Sequence, residues 1–492
     1  MREDWIVVEL GELSTFELGG DWGKAPEYED ENYVEAYCIR GSEFRNWDNE
    51  KGVTSALRKI KKESLKKRNL KENDILVEIS GGGPEQPVGR TVVIEKSVLQ
   101  NFKGKNLICT NFLRLIRPTN FANSVYINLY LKYFYSTGKI IRYQAGSNNL
   151  RNLKFNDYLT IQIPIAPLPI QRAIVTKIEN LFASLDKGIA DLKTAQEQLK
   201  VYRQAVLKKA FEGELTREWR EKAVKTDGRS SQKETTIAIA AESIIPYNNQ
   251  VKKKLPEGWK WLKMGEVIEK PKYGTSKKCT YKKRGYGVLR IPNIINGYVN
   301  SSDLKYANFS KEEIETYSLN KGDILTIRSN GSINIVGKCA IIREKDTRYL
   351  HAGYLIRLRP LKQLISSEFL LHLLSSFDLR VQIELKAKST SGVNNINSEE
   401  IQSLDLPYPS IAEQHQIVRE IESRLSVCDK VEQSISEALG KAQALRQSIL
   451  KKAFEGRLLS DAEIEQCKQE ADYEPASVLL EKIKKSKMIN YG

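Results

Sequence analysis

Two stretches of this chain place apolar residues in alternating steps of four and three, while the remainder alternates short β-rich runs with polar loops. In the first stretch the steps fall on Ile174, Ile178, Leu181, Leu185, Gly188, Leu192, Ala195, Leu199, Tyr202 and Val206. In the second they fall on Ile417, Ile421, Arg424, Cys428, Val431, Ile435, Ala438, Ala442, Leu445 and Ile449. A heptad held for about five repeats predicts two long helices paired through a coiled-coil seam, flawed at Gly188 and Arg424. No proline interrupts either run, while PIAPLP and PYP stand immediately upstream of each. Gly213 and Gly456 suit the left-handed position after a helix end, and Lys208-Lys209 and Lys451-Lys452 suit the negative end of the helix dipole. Each helix of about 40 residues spans roughly 60 Å.

The seam leaves apolar residues over. Val175, Phe182 and Ile189 form a flanking stripe, echoed by Val418 and Leu425, and Phe211 and Phe454 lie off the seam near the helix ends. A face that wide implies more than one packing partner. The chain's own domains suit the start of each helix, and helices of another protein suit the middle.

Internal repetition accounts for there being two such helices. A shift of 243 residues aligns 164–215 with 407–458 without a gap and with 19 of 52 positions identical, so that LKKAFEGEL (207–215) meets LKKAFEGRL (450–458). Weaker echoes extend upstream. NDILV (73–77) answers GDILT (322–326), FLRLIRP (112–118) answers YLIRLRP (354–360), and CIRGSEF (38–44) answers VLRIPNI (288–294). Trp5 and Gly11 match Trp259 and Gly265 in spacing. The chain therefore reads as a mixed domain (1–163), a long helix (164–213) and a linker with a short helical segment (214–254). A second mixed domain (255–406), a second helix (407–456) and a helical tail (457–492) follow.

Within the domains, DILVEIS, RTVVIE, LICTNFLRLI, GVLRIPN, DILTIRS and CAIIRE are the candidate strands. The fold class is α+β. Because a whole domain separates the helices in sequence, antiparallel pairing about a pseudo-twofold axis is expected, with one domain at each end.

The net charge of +16 is the footprint of a polyanion, nucleic acid before anionic lipid, with a merely solvated basic surface as the plain alternative. Six scattered cysteines without a CxxC pair and only three histidines argue against zinc and a disulfide framework, and favour a reducing cytoplasm. The first residues carry no signal-peptide pattern, and no apolar run approaches the roughly 20 residues of a spanning helix. No membrane association is expected.

Stretches 270–290 and 55–71 each carry eight basic residues. The first is interleaved with Tyr273, Tyr281 and Tyr286, whereas the second reads equally as a solvated helix face. The turns ISGGGPEQPVGR (79–90) and IRSNGSINIVGK (327–338) hold corresponding places; glycine there allows close backbone approach, or simply makes a hairpin. Positions agreeing in place and chemistry give the candidate contacts: Arg40, Ser42, Gly81, Gly82 and Arg90 in the first half, and Tyr273, Thr275, Ser276, Lys277, Arg290, Asn293, Ser329 and Asn330 in the second. Ion pairing within the domain is the rival role for Arg40 and Arg290. Catalytic motifs are missing. His351, His372 and His415 lie in unrelated contexts, and no H-E-x-x-H, G-x-S-x-G, Walker or Asn/Asp-Pro-Pro-aromatic pattern occurs. The chain reads as a binder, with no catalytic residue, metal site or cofactor of its own.

Two variable domains, each followed by a helix that starts with a PxP-then-Gln pattern and ends in LKKAFEG, resemble the specificity subunit of type I restriction-modification systems. LTREWR (215–220) and EPASVLLEKIK (474–484) belong to the same likeness, which spans essentially the whole chain. One departure stands out: Glu413-Gln414 opens the second helix, but Ile170-Gln171 opens the first. The resemblance implies a target-recognition domain for each half of a split double-stranded DNA site, with helices that set the spacer. It further implies two methylation subunits docked on the surplus apolar stripe (Val175, Phe182, Ile189, Phe211, Val418, Leu425, Phe454), and restriction subunits that translocate and cleave DNA with ATP. The assembled complex would methylate adenine N6 after flipping the base. A coiled-coil scaffold binding nucleic acid without sequence preference is the alternative from another class.

Overall fold

A computed structural model describes residues 2, 4–83, 86–146, 151–226, 254–295, 297–390 and 392–491. Most of the expected linker, including its helical segment IAIAAESII (237–245), lies outside the described residues. The chain forms two compact units, Met1–Leu192 with Glu437–Gly492, and Lys193–Ser436. The predicted helices are Leu168–Phe211 and Ile411–Phe454, each 44 residues long. They start later than expected because Pro164 and Pro407 belong to the preceding strands, Gln162–Ile165 and Asp405–Tyr408, and Pro169 sits in the first turn of the first helix, where no amide is needed.

Each unit is built around the beginning of one long helix and the end of the other. In the first, Ile170, Ile174 and Ile178 share a core with Ile449, Leu450, Ala453 and Phe454. In the second, Val206, Leu207, Ala210 and Phe211 share a core with Ile417, Val418 and Ile421. The helices therefore run antiparallel within each unit. LKKAFEG carries both jobs of the helix end. Gly213 and Gly456 adopt φ of 78° and 74°, and the next amides, Glu214 and Arg457, reach back to the carbonyls of Lys209 and Lys452 at 2.9 and 2.8 Å, which closes the helix. The phenylalanine plugs the domain. Phe454 meets Tyr126, Tyr130 and Tyr133 at 5.2, 5.0 and 5.8 Å between ring centroids, and Phe211 meets Phe369 at 5.5 Å.

The seam departs from the expected one at Leu181, Gly188, Tyr202, Val431 and Leu445, while Ala195, Arg424 and Ala438 remain half-buried. Ile178, Leu185, Leu192, Leu199 and Val206 are covered, as are Ile421, Cys428, Ile435, Ala442 and Ile449. Phe182, Ile189, Arg203 and Arg446 are covered where Leu181, Gly188, Tyr202 and Leu445 are exposed, and Gln196, Leu425 and Leu439 share the half-buried state of Ala195, Arg424 and Ala438 beside them. Spacing could not decide, because Leu181 and Phe182 both complete a heptad from Ile178. Two arginines decide it. Arg203 donates to Asp429 at 2.6 Å and Glu432 at 2.9 Å in the second unit. Its repeat counterpart Arg446 pairs with Asp186, the counterpart of Asp429, in the first, and lies 4.7 Å over the Phe182 ring.

The helix-initial glutamine fastens each helix to its domain. Gln171 is fully buried. Its amide oxygen accepts from Asn123 N at 2.9 Å, and its nitrogen donates to Ala166 O at 2.7 Å. Gln414 repeats the arrangement with Ser366 N at 2.9 Å and Pro409 O at 3.2 Å. Asn123 and Ser366 are the N-caps of the helices Ser124–Ser136 and Ser367–Leu374, so one side chain joins two helix starts.

The departure at Ile170 also has a structural account. In the second unit, buried Glu413 accepts from Trp259 Nε1 at 2.9 Å, Thr216 Oγ1 at 2.7 Å and the Arg220 guanidinium. In the first, Ile170 and Leu459 fill the places of Glu413 and Thr216 with apolar packing, and Glu463 stands at the place of Arg220. The network is gone, and Trp5 Nε1 is buried with no hydrogen-bond partner among the described residues.

The sheets repeat, apart from a two-stranded one, Ile294–Ile295 with Tyr298–Val299, described in the second unit alone. A four-stranded antiparallel sheet (Ser14–Gly19, Leu113–Pro118, Ile75–Glu78, Thr91–Val93) has its equal in Lys272–Tyr273, Leu355–Leu358, Ile324–Ile327 and Cys339–Ile341. A three-stranded sheet (Ala56–Lys61, Tyr33–Ile39, Leu107–Cys109) answers Lys305–Ala307, Tyr286–Leu289 and Leu350–His351. The run LICTNFLRLI is thus two strands of different sheets. The basic stretch 55–71 is a strand followed by an exposed helix, Lys62–Arg68. Asp74 and Asp323, from the matching DIL motifs, each hold a paired arginine fork, Arg117 and Arg359, at 2.7 and 2.8 Å.

Two stability measurements check these assignments. Glu413→Ala leaves the Trp259 and Thr216 donors unmatched and the Arg220 charge without its carboxylate, and should cost on the order of 3 kcal/mol in chemical denaturation; a loss below about 0.5 kcal/mol would contradict the network. Arg203→Asp should cost at most about 1 kcal/mol, because the pair is partly exposed. Adding Asp429→Arg should recover most of that loss if the pair sets the register.

Candidate nucleic-acid interface

The candidate residues divide by what already engages them. In the first unit the structure brings Arg40, Ser42 and Arg90 together around two buried carboxylates. Arg40 donates to Glu43 at 2.6 Å and to Thr54 O at 3.1 Å, and the Ser42 hydroxyl donates to the same carboxylate at 3.2 Å. Arg90 grips Glu78 with two bonds of 2.8 and 2.6 Å and donates to Gly41 O at 3.1 Å. These forks are committed to holding the loop, with Arg40 still 41% exposed and Arg90 only 18%. The Glu78 hydrogen bond raises the Arg90 pKa further above its ordinary value. In the second unit Arg290 donates to Asp303, at 3.0 Å to the carboxylate and 3.2 Å to the carbonyl. Asn293 is fully buried and donates to the carbonyls of Asn300 and Asp303. It shapes the loop rather than facing outward.

The loop 273–278 mixes framework and surface. Gly274 has no room for a Cβ, which would come 2.2 Å from His351 O. Thr275 is buried, donating its N–H to that same carbonyl at 2.8 Å and accepting from Lys277 N at 3.1 Å. His351 beneath it is fully buried, and burial pushes its imidazole down to about 4, so it is neutral near pH 7 and serves as a wall. Ser276 and Lys277 are exposed, with Lys277 Nζ 2.8 Å from Glu313. Tyr273 is exposed; its hydroxyl accepts from Ser398 N at 3.0 Å, and Arg328 stacks on its ring at 4.7 Å.

The glycine turn and its counterpart lie on small polar sheets that sequence reasoning missed. Ser80–Gly82 pairs with Arg151–Leu153, which pairs with Gln144–Ala145. Ser329–Asn330 pairs with Val393–Asn395, which pairs with Lys388–Thr390. Gly81 is exposed at φ 109° with open space around it, whereas Gly82 is buried, and a Cβ there would meet Gln86 O at 2.6 Å. Ser329 and Asn330 are half-buried, and the Asn330 side chain accepts from Ser332 N at 2.9 Å. Strands of two or three polar residues have no alternation to detect. The available signal was a glycine followed by paired asparagines, GSNNL (146–150) and GVNNI (392–396).

The residues expected to receive partner subunits are engaged inside the chain. Phe211, Phe454, Val175 and Val418 are buried in the domain cores; Leu425 packs against one of them; Phe182 and Ile189 lie on the seam. This corrects the outward stripe of the sequence reading: on the two long helices the exposed large apolar residues are Leu181, Val201, Tyr202, Val427, Val431 and Leu445. Among the described residues no helix is long and apolar enough to cross a membrane.

Comparison with known proteins bears on this arrangement directly. The family model of the type I restriction modification DNA specificity domain matches residues 2–193 and again 256–440. The EcoKI specificity subunit of Escherichia coli K12 is 28% identical over 496 residues, covering 100% of this chain and 97% of that protein. The StySPI specificity subunit of Salmonella potsdam is 28% identical with the same coverage. Among solved structures, the HsdS subunit of Thermoanaerobacter tengcongensis has the same fold, with a TM-score of 0.52 at 17% identity over 93% of this chain and 98% of that one. A subunit from a study of assembly and conformational transition in a type I R-M system reaches 0.66 at 18% identity over 93% and 99%. Matched twice by that model and end to end by named specificity subunits, this chain belongs to the specificity subunits of type I restriction-modification systems.

Proposed function

We propose that each domain reads one half of a bipartite double-stranded DNA target and that the long helices set the unspecified spacer between the halves. One observation carries this reading: each domain core is completed by the start of one 44-residue helix and the end of the other. The helix length is then the ruler. The basic charge supplies phosphate contacts, and the exposed residues Ser276, Lys277, Tyr273 and Gly81, with half-buried Ser329 and Asn330, supply groove contacts. The committed clusters of Arg40, Ser42 and Arg90, and of Arg290 and Asn293, hold the loops that present them.

Two methylation subunits dock on the outward stripes, Leu181 and Leu445 in the first unit, and Tyr202, Val427 and Val431 in the second. Exposed apolar residues along a helix flank are where a partner helix gains buried area. The assembled complex methylates adenine at N6, and restriction subunits add ATP-driven translocation and cleavage; this chain contributes recognition without catalysis, and works in the cytoplasm where the DNA is.

Deleting one matching heptad from both helices removes about 10 Å of rise. The preferred spacer should shorten by about three base pairs at 3.4 Å each when binding is measured across a spacer-length series; an unchanged optimum contradicts the ruler. Tyr202→Asp with Val431→Asp should reduce co-purification of the methylation subunit at least about tenfold, since two buried apolar contacts are worth roughly 1.5–3 kcal/mol each, while leaving the unfolding midpoint of the chain in place. Undiminished co-purification would move the docking face elsewhere.

A further inference from the structure

Three stacked arginines of the two domains are spent on carboxylates: Arg90 on Glu78, Arg117 on Asp74, Arg290 on Asp303. Of the stacked arginines without a carboxylate partner among the described residues, Arg114 and Arg328 occupy one place in the repeated fold, while Arg348 lies over the Tyr349 ring and donates to its hydroxyl. In the second unit Arg328, at the end of the DIL strand, lies 4.7 Å over the Tyr273 ring and donates Nε to the Asn395 side chain at 3.2 Å. Its two terminal nitrogens have no hydrogen-bond partner among the described residues. In the first unit Arg114, on Leu113–Pro118, lies 4.4 Å over the Phe155 ring. Its Nε is buried and unmatched among the described residues, and no carboxylate pairs with it there.

The strand register shows that the places coincide. Arg114 stands opposite Gly19, and Tyr273 stands opposite Ile356. Gly20 and Gly274, which follow Gly19 and Tyr273, press in the same way on the carbonyls of Cys109 and Thr110 and of His351 and Ala352. Phe155 opens the short helix Phe155–Tyr158, and Ser398 opens its counterpart Ser398–Gln402. The arginine has moved from one strand to its neighbour and the aromatic ring from strand to helix, yet a stacked, carboxylate-free guanidinium is rebuilt at the same spot. Arg58 also stacks, on Trp22 at 4.3 Å, but Ala307 holds the matching place in the second half, so it is not part of the repeat.

We infer that Arg328 and Arg114 are specificity-determining residues, each presenting its fork to the O6 and N7 edge of a guanine in its own half-site. A guanidinium fixed by stacking loses little freedom on binding, and an unpaired fork beside a polar sheet matches the guanine edge with two bonds. This rests on the reading of the domains as half-site readers. The test uses the full chain assembled with its methylation subunits and a randomised duplex library, with bound molecules sequenced. Arg328→Ala should lose about 5- to 150-fold discrimination at one G·C pair of one half-site, and Arg114→Ala at one pair of the other, each leaving the opposite half unchanged. Arg328→Lys and Arg114→Lys, which keep charge and stem and serve where an alanine variant fails to fold, should retain affinity for mixed DNA yet not restore that discrimination. Uniform weakening on every sequence, or unchanged selection, overturns the assignment with the half-site reading intact. If the unaltered complex selects no bipartite target, the half-site reading fails and the assignment falls with it.

Discussion

The core of each domain cannot close without the last turns of the helix that follows the other domain. Phe454 fills the aromatic cluster of the first unit, and Phe211 plugs the second. Because each core also holds the first turns of its own helix, the two helices have only one polarity open to them. The near-identity of the two LKKAFEG segments follows: one motif ends a helix at a left-handed glycine and delivers an aromatic ring to a foreign core. A ring of that size buried in a closed site carries several kilocalories of folding energy, of order 3–5 kcal/mol against alanine, so this join outweighs the ion pairs along the seam.

Comparing the halves separates framework from adaptable parts. The glutamines Gln171 and Gln414, the pairs Asp74–Arg117 and Asp323–Arg359, and the arginines Arg203 and Arg446 recur with the same partners. They fix helix starts, strand ends and register. The Glu413 network has no equal in the first unit, where Ile170 and Leu459 pack instead. Apolar packing in place of a buried charged cluster is commonly neutral for stability when the whole cluster changes together; the orphaned Trp5 nitrogen is the trace it leaves.

Much of the frame was legible in the sequence. Period and glycine stops gave both helices, and the 243-residue shift gave the duplication. The seam was legible only in half, since Leu181 and Phe182 are equally apolar and the choice fell to Arg203 and Arg446, whose partners are distant in sequence. The polar sheets were missed because their strands are too short for any period. Arg40, Arg90 and Arg290 were singled out by repeat position and chemistry, and neither shows that a carboxylate already holds the fork. Ile79 and Arg328 share a repeat position, so agreement between halves, the rule that selected contacts, passed over Arg328.

The central claim is that one rigid spacing joins two separate readers. Mapping N6-methyladenine across the genome of a host that carries this chain with its methylation subunits tests it most directly. The account predicts one asymmetric motif, two short specified parts separated by unspecified positions of a single fixed number. A continuous motif, or two parts joined by spacers of several lengths, would contradict it.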